Sequence, residues 1–289
     1  MARCKTAALA LLLCLGLTGC GRAEKPMLTL PPVAAEAASP TPIQTEAPAT
    51  ELVLYPGEDG LLPVDELCAA LELGLETVGE NTALIGGRSL EYFPEDGYIC
   101  FDGRYIYAPG GFMIDDAGLR LSREAVEKIF SLSLFEEEGG YPADLRAAML
   151  MPGGEDYYEL NFGMDLIYWL PQIIHAEAYQ QPMAGLIGVG NVVMNRMEDE
   201  RFPNSVTGVI FDREQVIQFE PVENGSIKAQ PDERAYIAAC LCLEGYSTVG
   251  ESLFFVNPAY GSYWFDRELE LTHVIGEHNF YKYKDMSHA

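Results

Sequence analysis

The stretch Asp165-Leu166-Ile167-Tyr168-Trp169-Leu170-Pro171-Gln172-Ile173-Ile174-His175-Ala176-Glu177-Ala178 sets the architecture of the second half of the chain. Its apolar residues recur at helical spacing, with Leu166, Leu170, Ile173 and Ile174 forming one stripe. Glu177 continues that stripe, at i+4 from Ile173 and i+3 from Ile174. A carboxylate on an apolar face loses hydration, which disfavours its charged form and raises its pKa. A group shifted in that direction suits a general acid working near neutral pH. The other reading is that Glu177 ends the helix at the surface, and periodicity alone leaves both open.

Working outward, Gly188-Val189-Gly190-Asn191-Val192-Val193-Met194-Asn195-Arg196 reads as a second helix. Arg201-Phe202-Pro203, Val209-Ile210-Phe211 and Gln218-Phe219 follow, then a helix from Ala235 with a glycine stop at Gly245. Leu253-Phe254-Phe255-Val256-Asn257-Pro258 and Ile275-Gly276-Glu277-His278-Asn279-Phe280-Tyr281 close the series. This order of motifs, over about residues 160 to 283, resembles the cell-wall hydrolases of the SleB (spore cortex-lytic enzyme) type. The resemblance implies a mainly α-helical, lysozyme-like catalytic domain with a small β-hairpin region, cleaving the glycan strand of peptidoglycan. Glu177 matches the catalytic glutamate of that family. Asn195, Gln218, His278 and Tyr281 match motif positions and are candidates for substrate binding. Asn195 and Arg196 are equally read as structural, and His278 as a satisfied core histidine. The chain departs from the family at Tyr179-Gln180-Gln181, where Arg-Gly-Glu is usual, and at Glu277, where Asn is usual.

Other chemistries lack their motifs. There is no His-Glu-x-x-His, no Gly-x-Ser-x-Gly and no phosphate-binding Gly-x-x-x-x-Gly-Lys. His273 and His278 have no nearby thiol or third histidine, so neither a metal nor another cofactor is expected. Glycoside hydrolysis commonly needs two carboxyl groups, and Glu177 alone lies on a plausible cleft motif. One acid suffices for a lytic transglycosylase acting between N-acetylmuramic acid and N-acetylglucosamine. The alternative is a muramidase-type hydrolase with a second carboxylate, Glu220 or Glu198 being first in line. A non-catalytic wall-binding lipoprotein is a further reading, against which stands a carboxylate retained on an apolar stripe. An extracellular cation-binding or germination accessory protein is suggested by acidity alone. Tyr168, Trp169, Tyr260, Tyr263 and Trp264 are candidate platforms for sugar rings, or core.

The 289 residues carry 44 acidic and 18 basic side chains, for a net charge of −26. Nucleic acid is thereby disfavoured as a partner, since phosphate backbones need clustered cations. The acidity is spread over both halves and marks no site. Arg3 and Lys5 precede an apolar run from Ala7 to Leu17, the length of a signal h-region and too short to span a bilayer. The run ends in Leu17-Thr18-Gly19-Cys20, which resembles a bacterial lipobox and implies a diacylglyceride on Cys20. The chain would then be extracytoplasmic, held to the membrane and facing the wall, with peptidoglycan as its partner. The Pro- and Ala-rich residues after Cys20 read as a solvated tether.

Residues 51–138 contain a weak repeat. Gly60-Leu61-Leu62-Pro63-Val64-Asp65-Glu66-Leu67 and Gly118-Leu119-Arg120-Leu121-Ser122-Arg123-Glu124-Ala125 each read as a strand entering a helix, the second with Ser122 as N-cap. Short β-prone runs lie between them at 82–85, 98–101 and 105–109. The arrangement resembles the copper amine oxidase N-terminal-like module of secreted bacterial proteins, with no copper implied. Cys68 and Cys100 are readable as a disulfide or as free thiols. The expected organisation is α+β: a signal peptide at 1–19, anchor and tether at 20–50, a small α/β accessory domain at 51–138, and the hydrolase domain at 139–289. Glu136-Glu137-Glu138-Gly139-Gly140 is expected to be a hinge, with a piece beginning near Tyr141 folding by itself.

Overall fold

In the computed structural model, residues 51–154, 157, 163–212, 219–260 and 263–284 are described. Cys20, the residues expected to be leader and tether, and Gln218 lie outside them. The N-terminal part opens with strand β1 (Glu51–Leu54), then β2 (Leu62–Pro63) leading into helix α1 (Asp65–Ala70). An antiparallel meander follows: β3 (Leu75–Gly79), β4 (Thr82–Ile85), β5 (Arg88–Phe93), β6 (Tyr98–Phe101) and β7 (Arg104–Tyr107). Next come β8 (Phe112–Asp115), β9 (Gly118–Leu121) and helix α2 (Arg123–Phe130).

The two repeat copies meet in space. Strand β2 pairs with β9, Leu62 opposite Leu121, so each copy's helix starts from the same small sheet. Ser122 caps α2, its side chain accepting from Ala125 N at 3.3 Å. The helix stops at Ser131, held left-handed at φ 51°. Leu67, Leu90, Ile99, Phe101, Val126, Ile129 and Phe130 bury a shared core. Cys68 and Cys100 are free thiols, the first buried and the second half-buried.

The expected hinge is a turn. Glu137 and Gly140 bond each other's backbone in both directions, at 2.8 and 3.0 Å. Between them Glu138 (φ 51°) and Gly139 (φ 80°) are both left-handed, the signature of a tight two-residue hairpin turn. The chain then enters β10 (Tyr141–Asp144), which pairs antiparallel with β1. Ala143, Leu145 and Met151 join the N-terminal core. The boundary that composition suggests at 138/139 therefore runs through the middle of a packed sheet-and-turn element.

The helical part begins with α3 (Met164–Ala178) and α4 (Met183–Glu198). Short helices α5 (Val206–Ile210) and α6 (Glu220–Asn224) precede α7 (Glu233–Leu243). Helices α3, α4 and α7 pack on one another through Leu170, Ile173, Ile174, Leu186, Val189, Ala238 and Leu241. Glycine makes that approach possible. A Cβ at Gly190 would lie 2.6 Å from Cys242 Sγ and 2.9 Å from Ile174 Cδ1. The chain ends with β11 (Phe254–Val256), α8 (Tyr263–Glu268) and the hairpin β12 (Leu269–Ile275) and β13 (His278–Tyr283), β13 being the central strand. No helix among the described residues is long and apolar enough to cross a membrane.

The β-rich and helical parts share an interface. Tyr98 of β6 is buried in the helical core, and Tyr105 and Tyr107 of β7 pack against it. Arg104 donates from Nε and Nη2 to the two oxygens of Glu244, both at 2.6 Å. Tyr157 donates to the same carboxylate at 3.0 Å, and Lys128 donates to the Glu244 carbonyl at 2.8 Å. The Glu244 side chain is only 3% exposed, so its charge depends on these partners.

Candidate active site

Helix α3 delivers Glu177 to its last turn. Leu170, Ile173 and Ile174 below it are fully buried, and Glu177 sits half-buried where the stripe meets a cleft. The cleft holds about 370 Å³. One wall is the end of α3 and the residues after it, from Ala176 to Gln181. Phe255, Asn257 and Tyr260 line the cleft as well, with Glu277 from the β12–β13 turn and His278 from the start of β13. Arg196 of α4 and Glu220 at the start of α6 complete it.

Burial pushes the Glu177 carboxyl up to about 7, and the nearby Glu220 charge pushes the same way. The Arg196 guanidinium pulls against both. Glu177 is therefore a proton donor at and below neutral pH and a base once the proton has left. That is the direction its place on an apolar stripe predicts.

Arg196 is 3% exposed. Its Nε donates to Leu253 O at 2.7 Å, and its guanidinium lies 5.2–5.3 Å from the ring centroids of Phe202, Phe219 and Phe254. Stacked rings hold a cation without hydrogen bonds. Burial lowers its pKa to about 10, so the charge persists at neutral pH. One terminal nitrogen, Nη1, has no partner among the described residues.

His278 lines the cleft at the start of β13, packed against Phe255 at 5.2 Å between ring centroids. Burial lowers its pKa, so it is neutral at pH 7. Its Nδ1 has no partner among the described residues.

The Gln181 departure has a structural use. Its Oε1 accepts from Glu277 N at 2.8 Å, tying the hairpin turn to the end of α3. Gly276 is left-handed at φ 57°, and a Cβ there would lie 2.1 Å from Gln181 Oε1. The turn can close on Gln181 only because residue 276 has no side chain.

Two sequence candidates fall elsewhere. Asn195 Nδ2 donates to Gly250 O at 2.7 Å and Ser252 O at 2.9 Å, pinning the loop before β11. It lines a separate cavity with Glu198, Arg201 and Lys282. Tyr281 is fully buried, donating to Asp266 at 2.7 Å and accepting from Asn279 at 3.2 Å. Neither lines the Glu177 cleft. Of the two alternative carboxylates, Glu220 lines it and Glu198 does not. Among the aromatic candidates Tyr260 lines the cleft and is 89% exposed. Trp169 instead packs edge-on against Phe211 in the core. Gln181, which the sequence marks as a departure from the family motif, lines the cleft; Tyr179, Phe255 and Asn257 also line it, and sequence reading did not single those three out as site residues. Tyr179 lies two residues past Glu177, and that proximity was the available signal.

Residues 180–281 match the family model described as Cell Wall Hydrolase. That span takes in Arg196, Glu220 and His278 and begins just past Glu177. The spore cortex-lytic enzyme of Bacillus subtilis is 35% identical over 108 residues, covering 37% of this chain and 32% of the relative. The spore cortex-lytic enzyme of Oceanobacillus iheyensis is 29% identical over 125 residues, 42% of this chain and 43% of the relative. The chain thus spans less than half the length of these curated relatives. Among solved structures, the catalytic domain of the germination-specific lytic transglycosylase SleB from Bacillus anthracis is 28% identical. That match covers 42% of this chain and 98% of that one, with a TM-score of 0.39.

Proposed function

We propose that this chain, whose C-terminal region belongs to the cell wall hydrolase family of the SleB spore cortex-lytic type, is a lytic transglycosylase acting on peptidoglycan of the spore cortex. The observation that carries the reading is Glu177: a desolvated carboxyl, held up to about 7, in the wall of an open cleft. Its proton goes to the glycosidic oxygen between N-acetylmuramic acid and N-acetylglucosamine as the C1–O bond breaks. The resulting carboxylate then takes the proton from the muramic C6 hydroxyl as O6 attacks C1. No water is consumed, and the product is a 1,6-anhydromuramic end. Arg196 assists the second state, because a buried positive charge favours the carboxylate. His278, being neutral, serves as a hydrogen-bonding group in the same cleft.

Glu220 gives a specific reason for a second reading. A second carboxylate in the same cleft is what a hydrolase would use to activate water. Mass spectrometry of released muropeptides separates the two. Anhydromuramic ends without label from ¹⁸O-water support the transglycosylase. Labelled reducing muramic ends overturn it in favour of hydrolysis.

The finer localisation is part of the proposal. Arg3, Lys5, the apolar run and Leu17-Thr18-Gly19-Cys20 support a lipid anchor on Cys20, which two acyl chains would make stable. Residues 21–50 then tether the folded part toward the wall. Cys20→Ala is expected to shift the protein from the membrane fraction to the soluble one or to block processing. A wild-type protein that is soluble and unlipidated would remove the anchor from this reading.

A further inference from the structure

We infer that Asp96, in the N-terminal β-rich part, is a positioning residue for the Glu177 cleft, acting through Arg234 on the chain that forms one cleft wall. The inference rests on the proposed activity for its kinetic readout and on geometry alone for its structural one.

Asp96 sits in the turn Pro94-Glu95-Asp96-Gly97 between β5 and β6. Gly97, left-handed at φ 69°, closes that turn with its N–H on Phe93 O at 2.8 Å. The Asp96 carboxylate accepts from Arg234 Nε at 3.0 and 3.3 Å and from Nη2 at 2.8 Å. Arg234 lies in the first turn of α7, which Asp232 caps by accepting from Ala235 N at 2.9 Å. The same guanidinium turns its remaining donors to the backbone that follows α3. Nη2 donates to Gln181 O at 3.2 Å, and Nη1 reaches Tyr179 O at 3.5 Å.

Those two carbonyls belong to the cleft wall. Tyr179, Gln180 and Gln181 all line the cavity, and Gln181 carries the β12–β13 turn through Glu277 N. A continuous path of hydrogen bonds thus runs from Asp96 through Arg234 and Gln181 to Glu277, which also lines the cleft. The carbonyls past the end of a helix have no partner within it and need an outside donor. Arg234 is that donor, and Asp96 fixes the plane in which its fork points. Asp96 and Arg234 are 138 residues apart, so the brace joins the β-rich part to the catalytic wall. The Arg104–Glu244 pair also joins the two parts, but it touches no cleft residue, which makes it an internal comparison.

The test uses the full chain with Asp96→Ala, the conservative Asp96→Asn, the charge exchange Asp96→Arg with Arg234→Asp, and Arg104→Met. Amide hydrogen exchange is read at 179–182 and 276–277, alongside the thermal midpoint and the kinetics of peptidoglycan cleavage. Asp96→Ala is expected to speed exchange in both segments and lower kcat/KM by about tenfold, chiefly through KM, with the pH profile of Glu177 kept. Asp96→Asn should fall between it and wild type. The charge exchange restores the ion pair but leaves an aspartate facing the Tyr179 and Gln181 carbonyls. Stability should therefore recover while exchange and KM do not. Arg104→Met should lower the midpoint without these local changes. Recovery of KM in the charge exchange, or equal effects at 179–182 from Arg104→Met, would reduce Asp96 to a general clamp and overturn the inference. A wild-type chain that releases no muropeptides would sink the proposed activity, while the exchange data would still decide the role of Asp96.

Discussion

At the residue scale, the proposed chemistry rests on Glu177, and the environment of that carboxyl sets when it could act. Glu177→Gln is nearly isosteric and cannot donate the proton, so activity should fall by at least about 100-fold with the fold intact. In the proposed reaction the acid form is the working one, so wild-type activity should hold below about pH 7 and decline above it. The same shift appears in stability. The folded chain holds this proton more tightly than the unfolded chain, whose carboxyl titrates near 4.5. That stabilisation is complete below pH 4.5 and is lost as pH rises through about 7. Thermal midpoints measured across that window should drop for wild type relative to Glu177→Gln, and parallel curves would refute the burial argument. Arg196 opposes the shift. Its replacement in Arg196→Met should move the alkaline limb of the activity profile to higher pH, because the charge that favours the carboxylate is gone. A limb that stays or moves down would show that Arg196 does not act electrostatically on Glu177.

At the element scale, the cleft depends on how closely three helices approach. Helix α4 presents Gly190 to Cys242 and Ile174, and Gly188 to Val249 and the Phe280 ring, with a Cβ at either glycine meeting atoms inside 3.0 Å. Gly190→Ala must push α7 or α3 aside, and overpacking of this kind costs about 1–3 kcal/mol. Urea unfolding would measure it, and a neutral result would mean that the helices can separate freely. Displacement of α3 moves Glu177, so turnover should drop along with stability. The C-terminal hairpin works by the same logic. Gly276 lets the turn close over Gln181, and β13 places His278 in the cleft while Tyr281, on the same strand, goes into the core.

At the scale of the molecule, the described residues fall within one unit. A fragment beginning at Tyr141 would lose β1 from beside β10, Tyr98 from the helical core, and Arg104 and Lys128 from Glu244. Stripping partners from a buried charge costs about 3–5 kcal/mol. The fragment should therefore be markedly less stable than the whole chain. Glu244→Gln should recover part of the loss in the fragment and destabilise the full chain. Denaturant curves of the four proteins form the cycle, and a fragment as stable as the whole would mean that the junction contributes nothing.

The sequence by itself determined what depends on near neighbours. The helix predicted at 165–178 is α3, because apolar spacing is a local signal. The Ser122 cap, the strands at 82–85 and 98–101, and the glycine stop at Gly245 were legible for the same reason. The apolar stripe left Glu177 open between a buried acid and a surface helix end, the family motif singled it out, and its place in the wall of a cleft came from the fold. Membership of the cleft was not legible. Asn195 and Tyr281 sit in motifs as conspicuous as that of His278, yet one pins a loop and the other fills the core. The acidic turn at 136–140 read as a hinge because composition carries no record of the strand, ninety residues earlier, that pairs with the segment after it. Asp96 carried no signal at all. Its meaning comes from Arg234, 138 residues away, and contacts at such separation leave no periodicity in the chain. Only the tertiary structure brings those donors and acceptors within bonding distance, since burial of the two cores decides which surfaces meet.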